Sequence, residues 1–183
     1  MSLSLSLSAI SLVNQTRPGD WDPSKGSQIP TIWNRGDVDL KTGGARQFTA
    51  VNSESLSIAD DPVFDLSTGD VLLGAFVMRD STGQQTIAAK WEDDENYWVW
   101  EFTATGELHF IAVVGAATII EVNGLATTTT LGQYYHCALA LDRDSPANTK
   151  FYIDGVADVT GTPTVAATDI DNAGAFRLGA LKA

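Results

Sequence analysis

The sequence predicts an all-β chain folded as an antiparallel two-sheet sandwich. From residue 45 onward, short apolar segments recur at roughly ten-residue spacing, many with period-2 alternation. Turn-forming strings separate them: Ser81-Thr82-Gly83, Asp93-Asp94-Glu95-Asn96, Thr105-Gly106, Asn123-Gly124 and Asp154-Gly155. No segment sustains an apolar period of about 3.6 residues over ten or so positions, which argues against an α/β fold.

Residues 1–44 read differently from residues 45–183. Ser2–Ser8 alternates Ser and Leu, so a strand there carries Leu3, Leu5 and Leu7 on one face. A secretory signal needs a basic start and a continuous apolar core, and this segment has neither. Synthesis inside the cell is therefore expected. Beyond Ile10–Val13, the residues Pro18-Gly19, Pro23, Gly26, Pro30, Gly36 and Gly43-Gly44 rule out a long helix. They suggest an extended arm or a draped loop, and Trp21 and Trp33 suggest that it docks rather than floats.

In order, the expected strands of the domain are 47–51, 55–58, 71–78, 85–91, 97–103, 107–114, 118–122, 134–142, 150–153, 156–159 and 175–179. The Asp154-Gly155 pair reads as a tight hairpin turn, because Gly reaches positive φ without steric cost. Thr127–Thr130 suits an exposed strand or its approach loop.

Composition excludes several functions. The 183 residues make about one domain, long enough for a single core. Net charge is −12, from 23 acidic and 11 basic residues, with no basic cluster to neutralise a phosphate backbone. No nucleic-acid partner is expected. No apolar run approaches the roughly 20 residues that span a bilayer, so no membrane insertion is expected either. The single Cys137 cannot form an internal disulfide, and its apolar strand context reads as a buried, inert thiol.

Three strings in fixed order carry a family resemblance: Tyr134-Tyr135-His136-Cys137-Ala138-Leu139-Ala140-Leu141-Asp142, Lys150-Phe151-Tyr152-Ile153-Asp154-Gly155-Val156 and Phe176-Arg177-Leu178-Gly179-Ala180. Ala45–Asp60 and Phe64–Met78 add the opening strands. Over roughly residues 45–183 the chain resembles the laminin-G-like branch of the concanavalin A-like lectin/glucanase superfamily. The resemblance implies a jelly-roll β-sandwich that serves more often as a binding scaffold than as an enzyme. Its opening strands resemble modules of phage and marine viral structural proteins. That implies a capsid decoration, fibre or tail protein, made in the host cytoplasm and exposed on the particle. Other virion proteins, copies of itself and cell-surface glycans are the implied partners. The alternative is an extracellular carbohydrate-binding or accessory domain of a glycoside hydrolase.

The resemblance also raises an assembly question. The family's closing aromatic-Asp-Gly-x-Ile-Asp strand would follow Gly179, and the sequence reaches Ala183 without it. Either the chain belongs to a longer polypeptide, or its own arm or a neighbouring subunit fills the edge, because a vacant sandwich edge exposes unpaired backbone groups. Ser2–Val13 is expected to add as a strand to that edge or to another chain. Burying Leu3, Leu5 and Leu7 would contribute about 5–8 kcal/mol before ordering costs.

Glycosidases of the superfamily carry Glu-x-Asp-x-x-Glu on one strand, aiming two carboxylates at the sugar. The nearest string here is Glu92-Asp93-Asp94-Glu95, with Tyr97 where the second Glu belongs. It reads as a solvated turn, and no enzymatic activity is expected. The resemblance allows Ca²⁺, and Asp60-Asp61, Asp93-Asp94, Asp142 with Asp144, and Asp169 with Asp171 offer oxygens without a recognisable ligand spacing. His109 and His136 lack a Cys or His companion in sequence, which argues against zinc, and His136 matches the family's structural strand histidine. Alternation sets Trp98 and Trp100 on one face of their strand. Exposed, they would be the ligand-binding platform for sugars; turned inward, they would fill the core.

Overall fold

A computed structural model of the chain describes residues 2–6, 13–15 and 46–49 as backbone strands, and residues 55–79, 81–125, 129–159 and 161–181 in full. The strands are β1 (Ser2–Ser6), β2 (Val13–Gln15), β3 (Arg46–Thr49), β4 (Leu56–Ile58), β5 (Asp70–Arg79), β6 (Gln85–Trp91) and β7 (Tyr97–Phe102). There follow β8 (Leu108–Val114), β9 (Ala117–Asn123), β10 (Tyr134–Leu141), β11 (Lys150–Ile153), β12 (Val156–Asp158), β13 (Thr164–Val165) and β14 (Ala175–Leu178). Sheet A runs β12-β11-β10-β5-β1-β3, with β2 also on β5, and sheet B runs β13-β9-β8-β7-β6-β14-β4. The described pairings are antiparallel, as a jelly-roll sandwich requires.

The alternation written in the sequence decides the two inner faces. β5 turns Val71, Leu73, Ala75 and Val77 inward, and β10 turns Tyr135, Cys137, Leu139 and Leu141 inward. Opposite them stand Trp98, Trp100 and Phe102 of β7, Leu108, Phe110 and Ala112 of β8, and Phe176 and Leu178 of β14. Cys137 is fully buried, and burial, with Asp154 and Asp158 behind it, pushes its thiol far above the ordinary range. It is an inert core residue, as its strand context predicts.

Turns follow the expected chemistry. Asp154 and Gly155 both take positive φ, 50° and 81°, which makes the β11–β12 connection a two-residue hairpin whose twist matches its strands. Gly115 and Ala116, at 56° and 64°, do the same between β8 and β9, a turn that the sequence pattern does not reveal.

Other elements depart from the pattern. Phe64 does not start a strand; it ends a 3-10 turn, Pro62–Phe64. Asp61 caps that turn, its Oδ1 accepting from the Val63 N–H at 3.0 Å, and Pro62 fits a first helical position. A second 3-10 turn, Pro146–Asn148, and the two-residue β13 were likewise not expected. Both are too short to carry a periodic signal.

The arm's first strand lies within the chain's own sheet A. Leu3 is registered against Arg79 of β5 and Phe48 of β3, and Leu5 against Val77 and Arg46. Leu7, Trp21 and Trp33 lie outside the described residues, as do the side chains of Leu3 and Leu5.

Candidate functional site

The two tryptophans proposed as a sugar platform do not form one. Trp98 and Trp100 are both 0% exposed and belong to the core. The Trp98 indole N–H donates to the Phe64 carbonyl at 3.3 Å, and its ring packs 6.0 Å from Phe110 and 5.9 Å from Phe176. The physical reason is the phase of β7: its pairing with Ala88 and Lys90 of β6 turns both indoles toward sheet A.

The same phase presents the alternate residues of β7, Tyr97, Val99 and Glu101, on the outer face of sheet B. Cross-strand register arranges this face in rows. The middle row is Arg177, Ala89, Val99, Ile111, Glu121 and Thr164, each paired with the next across adjacent strands. On one side of it Trp91 pairs with Tyr97; on the other, Glu101 pairs with His109. Along β7 the aromatic and acidic ends stand about 14 Å apart, four residues of extended strand.

At the aromatic end the Trp91 and Tyr97 rings stack with centroids 4.1 Å apart and planes 20° off parallel, both half-buried. Burial, then the charges of Glu101 and Asp94, pushes the Tyr97 phenol up, so it stays a neutral donor at physiological pH. A close approach supports this end: a Cβ on Gly174 would collide with the Trp91 backbone, so only Gly lets the chain enter β14 here.

At the polar end Glu101 is buried but satisfied. Gln84 Nε2 donates to its Oε2 at 2.7 Å, and His109 Nδ1–H donates to its Oε1 at 3.0 Å. The other ring nitrogen of His109 faces Glu121 Oε1 at 3.8 Å. Glu121 is about half exposed. Three groups spaced apart in the sequence therefore form one chain of contacts on neighbouring strands.

The acidic string Glu92–Glu95 is the β6–β7 turn. Asp93 Oδ1 accepts the N–H groups of Glu95 and Asn96, both at 2.8 Å, and Glu92 Oε2 accepts the Ala173 N–H at 3.2 Å. Among the described residues no three His, Cys, Asp or Glu side chains are grouped to hold a metal ion. Asp60 instead meets the ammonium of Lys90, and Asp142 Oδ1 accepts the backbone of Asp144 and Ser145. His136 stands on the outer face of sheet A, its ring 4.9 Å from that of Phe76.

A family model described as the concanavalin A-like lectin/glucanases superfamily matches residues 50–183. The chain belongs to this superfamily. No curated protein matches the sequence. Membership agrees with the two-sheet architecture.

Proposed function

We propose that this domain is a non-catalytic module that binds carbohydrate on the outer face of sheet B. The observation that carries the reading is the juxtaposition on one face of a stacked Trp91–Tyr97 plate and a polar cluster in which Glu101 is hydrogen-bonded to His109 and Glu121 stands 3.8 Å from the other ring nitrogen. A sugar offers apolar C–H faces and a rim of hydroxyls; rigid aromatic surface suits the first, and the half-exposed Glu121 carboxylate beside the His109 ring suits the second. Ala89, Val99 and Ile111 keep the floor between them small and apolar.

The same geometry favours binding over hydrolysis. Both oxygens of Glu101 are engaged, and the His109 ring occupies the gap between Glu101 and Glu121. Glycoside hydrolysis needs two carboxyl groups facing the scissile bond with space for sugar or water between them. Tyr97, in the place of the second family carboxylate, supplies a neutral ring instead.

The wider role we propose is that of a structural or adhesion unit of a virus particle, a decoration, fibre or tail component that holds host-surface glycans. Its support is the resemblance of residues 45–78 to phage and marine viral modules. An accessory domain of a secreted glycoside hydrolase would use the same face.

A glycan array probed with the parent and with Trp91→Ala tests the reading. Binding to a defined glycan class, reduced at least about tenfold in a folded Trp91→Ala variant, is expected. Reducing-sugar release should stay at background. Absence of binding across the array, or binding unchanged by the substitution, would overturn the assignment of this face.

A further inference from the structure

Lys90 is in an unusual place. It sits one residue before the end of β6 with its side chain 0% exposed, on the inner face, registered against Phe176 on one side and Trp98 on the other. Phe64 stacks on Phe176 at 4.1 Å and closes the surround. A lysine is almost never fully buried without partners. Its partners are two carboxylates: Nζ lies 2.8 Å from Asp60 Oδ1 and contacts Asp65 Oδ1 more closely still.

The two side chains in closest contact are held by rigid elements. Asp65 follows the 3-10 turn, its N–H bonded to the Pro62 carbonyl, and Leu66 after it bridges Ile170. That bridge brings Asp171, the residue after Ile170, near enough for its charge to act on the Asp65 carboxyl. Burial first, and Asp171 after it, raise Asp65 against the opposing pull of Lys90. Burial would lower Lys90, but its hydrogen bonds to Asp60 and Asp65 outweigh that and keep it an ammonium. A proton must therefore leave Nζ before the nitrogen can react, and Asp60, about half exposed, is placed to take it and pass it to solvent.

We propose that Lys90 and Asp65 become joined after folding by an intramolecular isopeptide bond, with Asp60 and Asp171 moving the protons. Asp60 accepts one proton from the ammonium, and the freed Nζ lone pair attacks Cγ of the protonated Asp65 carboxyl. In the tetrahedral adduct Asp171 takes a second proton from nitrogen and delivers it to the departing hydroxyl. One C–N bond forms, one C–O bond breaks, and one water and the proton held by Asp60 leave. No oxidant, metal or cofactor enters the balance.

Two physical effects favour the reaction. Holding amine and carboxyl in contact replaces a bimolecular encounter with an effective molarity of about 10⁵ M or more. Burial also shifts the equilibrium, because a neutral amide loses far less on leaving water than an ammonium and a carboxylate do. The inference is independent of the carbohydrate-binding reading.

Intact mass spectrometry of the denatured full chain, before and after warm incubation of the folded protein, tests it. The expected result is a species one water, about 18 Da, lighter than the sequence mass. A tryptic map should show no cleavage after Lys90 and a branched peptide joining it to the segment containing Asp65. Asp171→Asn, which keeps both reacting groups, should slow the link at least tenfold, and Asp65→Ala should abolish it. A chain at full mass with Lys90 cleaved normally would overturn the proposal. So would a water loss that maps to a succinimide at Asp154-Gly155. An Asp171→Asn chain that links as fast as the parent would remove Asp171 from its assigned part.

Discussion

The two outer faces of the sandwich obey the same alternation yet present opposite chemistry. On sheet B the outward rows carry the Trp91–Tyr97 stack and the Glu101–His109–Glu121 chain, each group set against a neighbour. On sheet A the rows of β5 and β10 pair Leu72 with Ala140, Gly74 with Ala138, Phe76 with His136 and Met78 with Tyr134, and they carry no carboxylate. Leu72, Phe76 and Tyr134 are each more than 40% exposed, and the Phe76–His136 contact is tilted rather than stacked. A sheet face becomes a recognition surface when its polar groups are oriented before the ligand arrives, because the ordering cost is then already met. By that measure sheet B is prepared, while the β5 and β10 rows of sheet A offer loosely placed apolar area.

The severest way to break this comparison is through the residue beneath it. Were Trp98 a ligand platform, its removal would cost binding and little stability. As a core residue packed against Phe110 and Phe176, Trp98→Ala should instead lower unfolding free energy by about 3–5 kcal/mol. Chemical denaturation monitored by circular dichroism measures this. A loss below about 1 kcal/mol would place the indole outside the core and reopen the face assignment.

A milder test exchanges the faces. Phe76→Ser removes the centre of the apolar patch on sheet A without touching sheet B. Glycan affinity should stay within about twofold of the parent, and stability should fall by no more than about 1 kcal/mol for a ring already nearly half exposed. Affinity lost in Phe76→Ser and kept in Trp91→Ala would reverse the roles of the two faces.

Much of the fold was legible because its signals are local. The Asp154-Gly155 turn, the β10 string around Cys137 and the inward phase of β5 all follow from a few consecutive residues. The site was harder to read, although its register was implicit in the turns. Trp91 and Tyr97 lie symmetrically about Asp94, and Glu101 and His109 about Thr105, so each hairpin sets its pair opposite one another. What sequence could not supply was the phase that turns Trp98 inward and Glu101 outward, since both positions alternate equally well. Nor could it supply Glu121, which reaches His109 only through a β8–β9 turn at Gly115-Ala116 that the pattern does not mark. Lys90 and Asp65 meet across 25 residues, through a 3-10 turn too short for any periodic signal.

The smallest expected effect compares how each sheet ties its turns. Asp93 on sheet B and Asp142 at the end of β10 on sheet A use the same device, one carboxylate accepting two successive backbone N–H groups and a nearby Asn side chain. The Asn148 hydrogen bond is the main reason Asp142 is held below the ordinary carboxylate range, with the Ser145 and Asp144 N–H groups adding to it against a slight cost of burial. A depressed carboxyl binds its proton less readily folded than unfolded. Its contribution is therefore complete above the unfolded value near 3.9 and is lost as pH falls through the lower folded value. Asn148→Ala should then cost about 0.5 kcal/mol at neutral pH, a modest figure because Asp142 is solvated and its bonds are screened. The difference between variant and parent should shrink to nothing as pH drops below the Asp142 titration. Urea unfolding of both proteins across the acid range checks the sign, and a gap that widens on acidification would show that Asn148 acts through something other than the Asp142 carboxylate.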